Sequence, residues 1–589
     1  MDKRDTNAGA GSLFSSIRNY DWVTYRQLLT PKLVTTLRSG YTANAFRHDA
    51  LAGLTVAILA LPLSMAIAIG CGVSPGRGLV TAVVAGALIS ALGGSRFQIG
   101  GPAAAFIVIV AQVFAQHGDA GLLAATFLAG VILVVAGLIQ LGGYIKYIPG
   151  PVILGFTSGI GTIIAVGQLK DFFGLTGTLP AEFFEKVEAL WQMRGSFNPS
   201  AFAVGAASLG CIFFLKATRP QWPGLLIAVV AASAVVWLLQ LPVETIGSRF
   251  GGIPSSLPAP ALPDLSWTTV KDILPSSFTI AFLVGVESLL SAVAADTMAR
   301  TRHRSNMEIV AQGAANIGSA LFGGLPATGV IARTGTNIQA GAKTPVAGIL
   351  HALFVLMFML LLAPLASYLA LPCLAAVLLA TAWRLLEIGH VSHFLSRAPW
   401  DDRIVLLATL TLTIVTDLSV AIAVGVVLAS ILFMHRMAEA HTLDLAGGHM
   451  ILDDAVDGSE ERSVIMTKPL PEGIRVFELR GPLFFGATAR LGVALAGLGK
   501  WPEVIILRMR DVPLVDSTGI DAVDELMALA DRHGCRIVIS GLQKQPREAM
   551  HRYGLLRKHG IVPASNSYVA LEKAKQLLEQ KSGSQGPIK

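Results

Sequence analysis

Charge is what this chain has least of: Asp, Glu, Lys and Arg make up 14% of its 589 residues, against about 25% in an ordinary soluble protein. Together with a 53% hydrophobic content and a mean hydropathy of +0.62, that scarcity excludes a wholly water-exposed protein. Cysteine is scarce too. Cys71, Cys211, Cys373 and Cys535 stand far apart, with no CxxC and no Cys/His cluster at ligand spacing, which argues against a disulfide framework and a zinc site. No phosphate-binding glycine loop of the GxxxxGK[ST] kind is present, so nothing points to a nucleotide-driven machine or an enzyme. The net charge of +7 does not call for nucleic acid. Membrane proteins collect Lys and Arg in their cytoplasmic loops, which raises the sum without a polyanionic partner.

What is present is unevenly spread. Residues 1–48 are mostly polar and unlike a cleaved leader; within them, 13–29 read either as a surface-lying amphipathic helix or as a solvated one. Long apolar runs fill 49–437, the transmembrane part. A linker over 438–465, a soluble domain over 466–580 and a disordered tail over 581–589 follow.

The apolar part divides into about fourteen segments. Two of them, 102–114 and 330–340, are too short to cross a bilayer, and each follows a Gly/Pro-rich stretch, GGSRFQIGGP and FGGLPATG. They are third and tenth, equivalent places if the chain is two repeats of seven, and an odd repeat length makes the repeats inverted. Corresponding interrupted segments in two halves mark a transporter's binding site. Loop charges favour both termini on the cytoplasmic side, with Arg96, Lys216, Arg300, Arg302, Arg304 and Arg384 among those on the same side.

A half-helix that starts inside the membrane leaves its first N–H groups unpaired and its positive end exposed, which attracts an anion. Small residues after those starts, Ala103, Ala104, Ala105 and Ala332 beside Ile331, leave room for a ligand at the backbone. Arg333 adds a full charge, and an ionisable group at this depth is functional by default. In the eighth segment, 275–295, Glu287 falls near mid-membrane with Ser291 one turn on. Such a carboxylate must be paired or protonated. It either pairs with Arg333 or carries a proton with the substrate. Asp296 reads as a boundary charge.

The soluble part alternates strands and helices: IRVFEL, ATARLGVALAG, EVIILRM, GIDAVDELMALADR, RIVISGL, PREAMHRYGLL. This predicts an α/β layer. In DVPLVDSTGID, the residues Asp516, Ser517 and Thr518 precede a helix start, where they cap it or form a phosphorylation switch.

Several of these stretches in order, LAGLTVAILALPLSMAIAIG, LGGSRFQIGGPAAAFIV, GFTSGIG, VESLLSAVAADTMARTRHRSNMEIVAQGAANI, FGGLPATGVIARTGTNIQAGAKTP and DSTG, resemble the SulP anion transporters, the solute carrier 26 group, from about residue 47 onward. The resemblance implies an all-α polytopic domain with a seven-plus-seven inverted repeat, a C-terminal α/β STAS domain that binds a regulator, homodimers and elevator-like transport. It implies an anion site made of Leu63, Ile67, Ala103, Ala104, Glu287, Ser288, Ser291, Ile331, Ala332 and Arg333. Many animal members carry Ser where Ala332 stands, and the sodium-dependent bicarbonate members carry Asp for Glu287 and Thr for Ser291. The Glu favours a proton over sodium as coupling ion, with no other cofactor. GGSRF, GPAAAFIVI, GFTSGIG and DFFGL are similar to the bacterial aerobic C4-dicarboxylic acid transporters of the DauA type. That implies symport of succinate, fumarate or aspartate across a bacterial inner membrane, with sulfate or bicarbonate transport, or an uncoupled anion channel, as alternatives.

Overall fold

The computed structural model describes residues 28–143, 149–180, 182–219, 222–416, 418–439, 442–446, 449–452, 466–484, 501–557 and 561–583. The surface helix expected within 13–29, most of the linker, the ATARLGVALAG helix and the end of the tail lie outside them. The chain divides into two compact units, 1–427 and 428–589.

The first unit is helical. After α1 (Lys32–Arg38) come α2 (Ala43–Gly70) and α3 (Pro75–Leu92), a short strand β1 (Gly100–Pro102), and a single 3-10 turn leading into α4 (Ile107–Leu138). Gly118, with φ of 64°, breaks α4 into a half-helix and a spanning piece, so the third and fourth segments are as expected from sequence. Then follow α5 (Gly150–Phe173), α6 (Phe183–Gln192), α7 (Pro199–Thr218), α8 (Gly224–Leu238) and α9 (Ile246–Phe250). The second half has α10 (Trp267–Ala299), α11 (Ser305–Leu321), strand β2 (Ala327–Gly329), half-helix α12 (Ile331–Gln339), α13 (Val346–Ala366), α14 (Leu371–Leu385), α15 (Ile388–Arg397), α16 (Trp400–Val415) and α17 (Leu418–Glu439). Nine helices among the described residues are long and apolar enough to cross a membrane. The order in the first half, two helices, strand, half-helix and then spanning pieces with one amphipathic helix between them, returns in the second. Its two amphipathic helices, α6 and α15, bury none of their residues and suit an interface.

Packing follows the same exchange between halves. α2 and α3 lie on α13, while α10 and α11 lie on the spanning piece of α4. Glycine sets the closest of these approaches. A Cβ on Gly130 would sit 2.7 Å from Gly313 O, and one on Gly313 would sit 2.6 Å from Gly130 O. Small residues are how membrane helices gain dispersion contact, because lipid is as apolar as their side chains. Two buried carboxylates tie loops across the halves. Asp49 on α2 accepts from Lys343 N at 2.7 Å and Thr344 N at 3.0 Å, and Glu308 on α11 accepts from Gly94 N at 2.8 Å and Ser95 N at 3.0 Å.

The second unit is the α/β layer. Its five-stranded sheet runs β3 (Thr442–Ala446), β6 (Ile474–Arg480), β7 (Val504–Asp511), β8 (Arg536–Ser540) and β9 (Val562–Ala564), parallel except for β3. A separate pair, β4 (His449–Leu452) with β5 (Met466–Pro469), was not read from sequence. α18 (Ser517–Arg532), α19 (Lys544–Arg552) and α20 (Ser567–Gly583) complete the described elements. β7 is buried along its first six residues, as a central parallel strand must be.

Gly313→Val should therefore lower the thermal midpoint of the detergent-solubilised protein, by the equivalent of about 1–3 kcal/mol. Gly210→Ala, where an added Cβ meets nothing within 4 Å, should leave it unchanged. Equal midpoints for both would contradict the packing role.

Candidate functional site

The two Gly/Pro-rich stretches each end in a three-residue strand, an arrangement the all-α expectation for this part did not contain. β1 and β2 pair antiparallel, with Gly100 opposite Gly329, Gly101 opposite Thr328 and Pro102 opposite Ala327. All six residues are buried. Unwound backbone at this depth is tolerated only where protein satisfies its polar groups, and side chains from α11 and α12 do so. Asn316 of α11 both accepts from Ala327 N at 2.9 Å and donates to Ala327 O at 2.8 Å, acting as a substitute strand. Thr334 of α12 accepts from Ile99 N at 3.1 Å, and Asn337 donates to Phe97 O at 2.9 Å. Thr328 donates to Val284 O at 3.2 Å, fixing the pair to α10.

Beyond this crossing the half-helices begin, one at Ala104 and one at Ile331. Their first amides have no intrahelical acceptor. Ala103 and Ala104 are buried and add only methyl groups there. Ile331 is 46% exposed, so the start of α12 opens on free space at its outer face. Ala332 is exposed with it.

Arg333 turns the other way and is 3% exposed. Its Nη2 donates to Ser64 Oγ of α2 at 3.1 Å and to Pro102 O at 3.3 Å, while Nε and Nη1 are buried without a partner. Gly101, at φ of 155°, is what admits the guanidinium, since a Cβ there would collide with Nη1. Glu287 of α10 is half-buried, with Oε2 sealed and unpartnered. Of the two alternatives for Glu287, the ion pair with Arg333 is not formed in this conformation. Each keeps a polar atom without a protein partner, and nothing compels the two side chains to hold each other.

The other expected residues fall into two groups. Leu63 and Ile67 are buried on α2, on either side of Ser64 in sequence. Ser288 and Ser291 are sealed: Ser288 donates to Gly285 O, and Ser291 donates to Thr334 Oγ1 at 3.2 Å. In this conformation both hydroxyls are engaged with protein acceptors, that of Ser288 within α10 and that of Ser291 on α12. Ser64, Gln98 and Thr334 were missed. Gln98 lies across Gly329 and donates to Ser288 O at 3.1 Å. A signal existed, for each is a polar side chain at a depth where polar side chains are expensive. His351 of α13, fully buried with both ring nitrogens unpartnered, belongs with them. Asp296 accepts from His303 N and Thr301 Oγ1 at the end of α10, in keeping with a boundary charge.

In the soluble unit, Asp516 alone caps α18, accepting from Gly519 N at 2.7 Å. Ser517 and Thr518 are the first residues of that helix and are exposed, so they do not share the capping role.

Residues 46–409 match the sulfate permease family model, and 466–568 match the STAS domain model. The chain belongs to the sulfate permease family. As a member of the SulP and solute carrier 26 group it is a multi-pass membrane protein and an anion transporter with a C-terminal STAS domain. It is 39% identical to the putative sulfate transporter YvdB of Bacillus subtilis over 88% of this chain and 96% of that one. It is 28% identical to the bicarbonate transporter BicA of Synechocystis, covering 88% and 92% of the two chains. Among solved structures, the transmembrane domain of a cyanobacterial BicA matches 66% of this chain and 98% of its own at a TM-score of 0.59 and 28% identity. The murine solute carrier 26 family member A9 matches 98% of this chain and all of its own at 0.80. At 19% identity that second likeness speaks for the fold alone.

Thr334 joins two elements that sequence places far apart, so its loss should be felt as stability. Thr334→Val strands the buried Ile99 N–H, and the expected loss is about 1–3 kcal/mol of unfolding free energy. Thr334→Ser should recover most of it in the same denaturation measurement. If valine and serine prove equivalent, the hydroxyl does not hold the crossing.

Proposed function

We propose that the protein is a proton-coupled symporter of a small divalent oxyanion, with sulfate as the first substrate, bound where α4 and α12 begin. One observation carries this reading. Arg333 Nε and Nη1 and Glu287 Oε2 are buried polar atoms that no protein group satisfies, beside two half-helix starts. An unpaired buried charge is expensive, and an arriving anion relieves it for Arg333. A proton on Glu287 relieves the carboxylate and removes its repulsion of the anion. Proton and anion then favour each other's binding, which is the coupling a symporter needs. A permanent Glu–Arg pair would have left neither group free for this exchange.

Sulfate takes first place over the C4-dicarboxylates because the relative at 39% identity carries a sulfate name. Dicarboxylates remain the second reading, supported by the GGSRF and GPAAAFIVI stretches and by the small alanine side chains around the site. The 28% identity to BicA makes bicarbonate a third member of the panel. The family resemblance further supports a homodimer in a bacterial inner membrane, both termini cytoplasmic, moving its site by an elevator-like displacement, with the STAS domain open to a regulator.

The test is uptake of labelled sulfate into proteoliposomes, with succinate, fumarate and bicarbonate as competitors, at two external pH values and with or without sodium. Acid-stimulated, sodium-independent accumulation is the expected result. Current without accumulation would indicate a channel, and absence of any anion flux would end the proposal. Glu287→Gln should flatten the pH dependence while retaining anion binding; a pH profile like that of the unaltered protein would exclude Glu287 as the carrier. Arg333→Ala should weaken anion affinity by about tenfold or more, the loss of a charge-assisted hydrogen bond of about 1.5–3 kcal/mol. Gly101→Ala, which displaces the guanidinium without removing it, should weaken affinity in the same direction in a monodisperse protein.

A further inference from the structure

A second arrangement of cations lies away from the crossing, where α7 and α14 end and α15 begins. A cavity of about 430 Å³ opens there, lined by Lys216, Trp383, Arg384, Glu387, Ile388 and His390. Lys216 and Arg384 are exposed, and among the described residues neither forms an ion pair. The single carboxylate in the lining, Glu387, accepts from His390 Nδ1 at 3.0 Å. Two positive charges therefore share the cavity with one carboxylate that is already engaged by His390.

The apolar surroundings say what kind of anion fits. Trp383 is 57% exposed and Phe214, two residues before Lys216, is 65% exposed, both on helices of the membrane unit. Exposed aromatics at the ends of spanning helices sit at headgroup level. α15 is amphipathic and buries none of its residues, as an interfacial helix does. The cavity thus sets Lys216 and Arg384 beside Trp383 and Ile388, cations next to apolar side chains, at the ends of helices of the membrane unit. Arg supplies a planar fork and Lys a point charge, a combination suited to phosphate oxygens. Two solvated cations that merely snorkel to water would not require a concave site between three helix ends.

We propose that Lys216 and Arg384 bind the phosphate of an anionic lipid headgroup in this cavity, joining α7, α14 and α15 at the membrane surface. None of the lining residues belongs to the anion site, so the inference stands or falls independently of the transported substrate.

The full-length protein in mild detergent, supplied with phosphatidylglycerol or phosphatidylcholine and read by native mass spectrometry, tests it. The unaltered protein should retain phosphatidylglycerol preferentially. Retention should fall about fivefold for each cation removed, in Lys216→Ala, Arg384→Ala and additively in the double variant. Glu387→Gln removes the opposing charge and should raise retention, a gain that misfolding cannot imitate. Phosphatidylglycerol retention unchanged in the double variant, or lowered by Glu387→Gln, would overturn the proposal. So would displacement of the lipid by millimolar inorganic phosphate, which would make this a site for the free ion.

Discussion

The membrane unit depends on one constraint, that unwound backbone inside a bilayer must find every hydrogen bond within the protein. β1, β2 and the backbone leading into β1 meet it partly by strand pairing and partly through Asn316 of α11 and Thr334 and Asn337 of α12, while Thr328 of β2 donates to α10 at Val284 O. Because β1 comes from the first half while β2 and these side chains come from the second, the crossing assembles only when both halves are in place. The halves are tied again at their surface loops by Asp49 and Glu308, whose oxygens accept backbone N–H groups from the opposite half. A carboxylate accepting backbone amides is a strong, directional clasp, and the two clasps leave the central site free of ionic cross-links.

Among the buried atoms of this unit that lack a partner, those of Arg333 and Glu287 belong to the two ionisable groups nearest the half-helix starts. Buried polar groups in folded proteins are overwhelmingly hydrogen-bonded, and exceptions call for a reason. Arg333 spends one nitrogen on Ser64 and Pro102, enough to fix the orientation of the guanidinium, and keeps two others uncommitted. Orientation without neutralisation is what a reversible anion site requires. A fully paired arginine would need to break an ion pair before each binding event, and an unanchored one would pay for ordering at every cycle.

Much of this was legible in the sequence. The fourteen-segment order, the two short segments and the identities of Arg333 and Glu287 follow from hydropathy, from Gly/Pro punctuation and from the expense of charge in lipid. Local pattern could not show that GGP and ATG would pair as strands, because register between segments more than 200 residues apart is a tertiary property. Nor could it show that Ser291 turns to Thr334. Helical periodicity places Ser291 on one face with Glu287, and face alone does not say whether a hydroxyl meets a ligand or another helix. In the soluble unit the alternation of strands and helices was enough for the layer. β4 and β5, a short pair apart from the main sheet, carried no comparable pattern.

The exposed start of α12 gives direction to this arrangement. Ile331 and Ala332 face open space while Arg333, the next residue, is sealed against α2 and β1. At the proposed site, an anion entering past Ile331 would meet the first amides of the half-helix before it meets the guanidinium. Partial charges at a helix end attract over a short range and hold weakly, whereas a buried guanidinium holds strongly. The order of encounter, weak field first and full charge second, lets a hydrated ion lose its water in steps. In the proposed symport cycle, release would follow the same steps backwards once the proton leaves Glu287 and its carboxylate repels the anion. On that proposal, carriage rests on a single protonation beside a cation whose position the scaffold fixes and whose charge it leaves unmet.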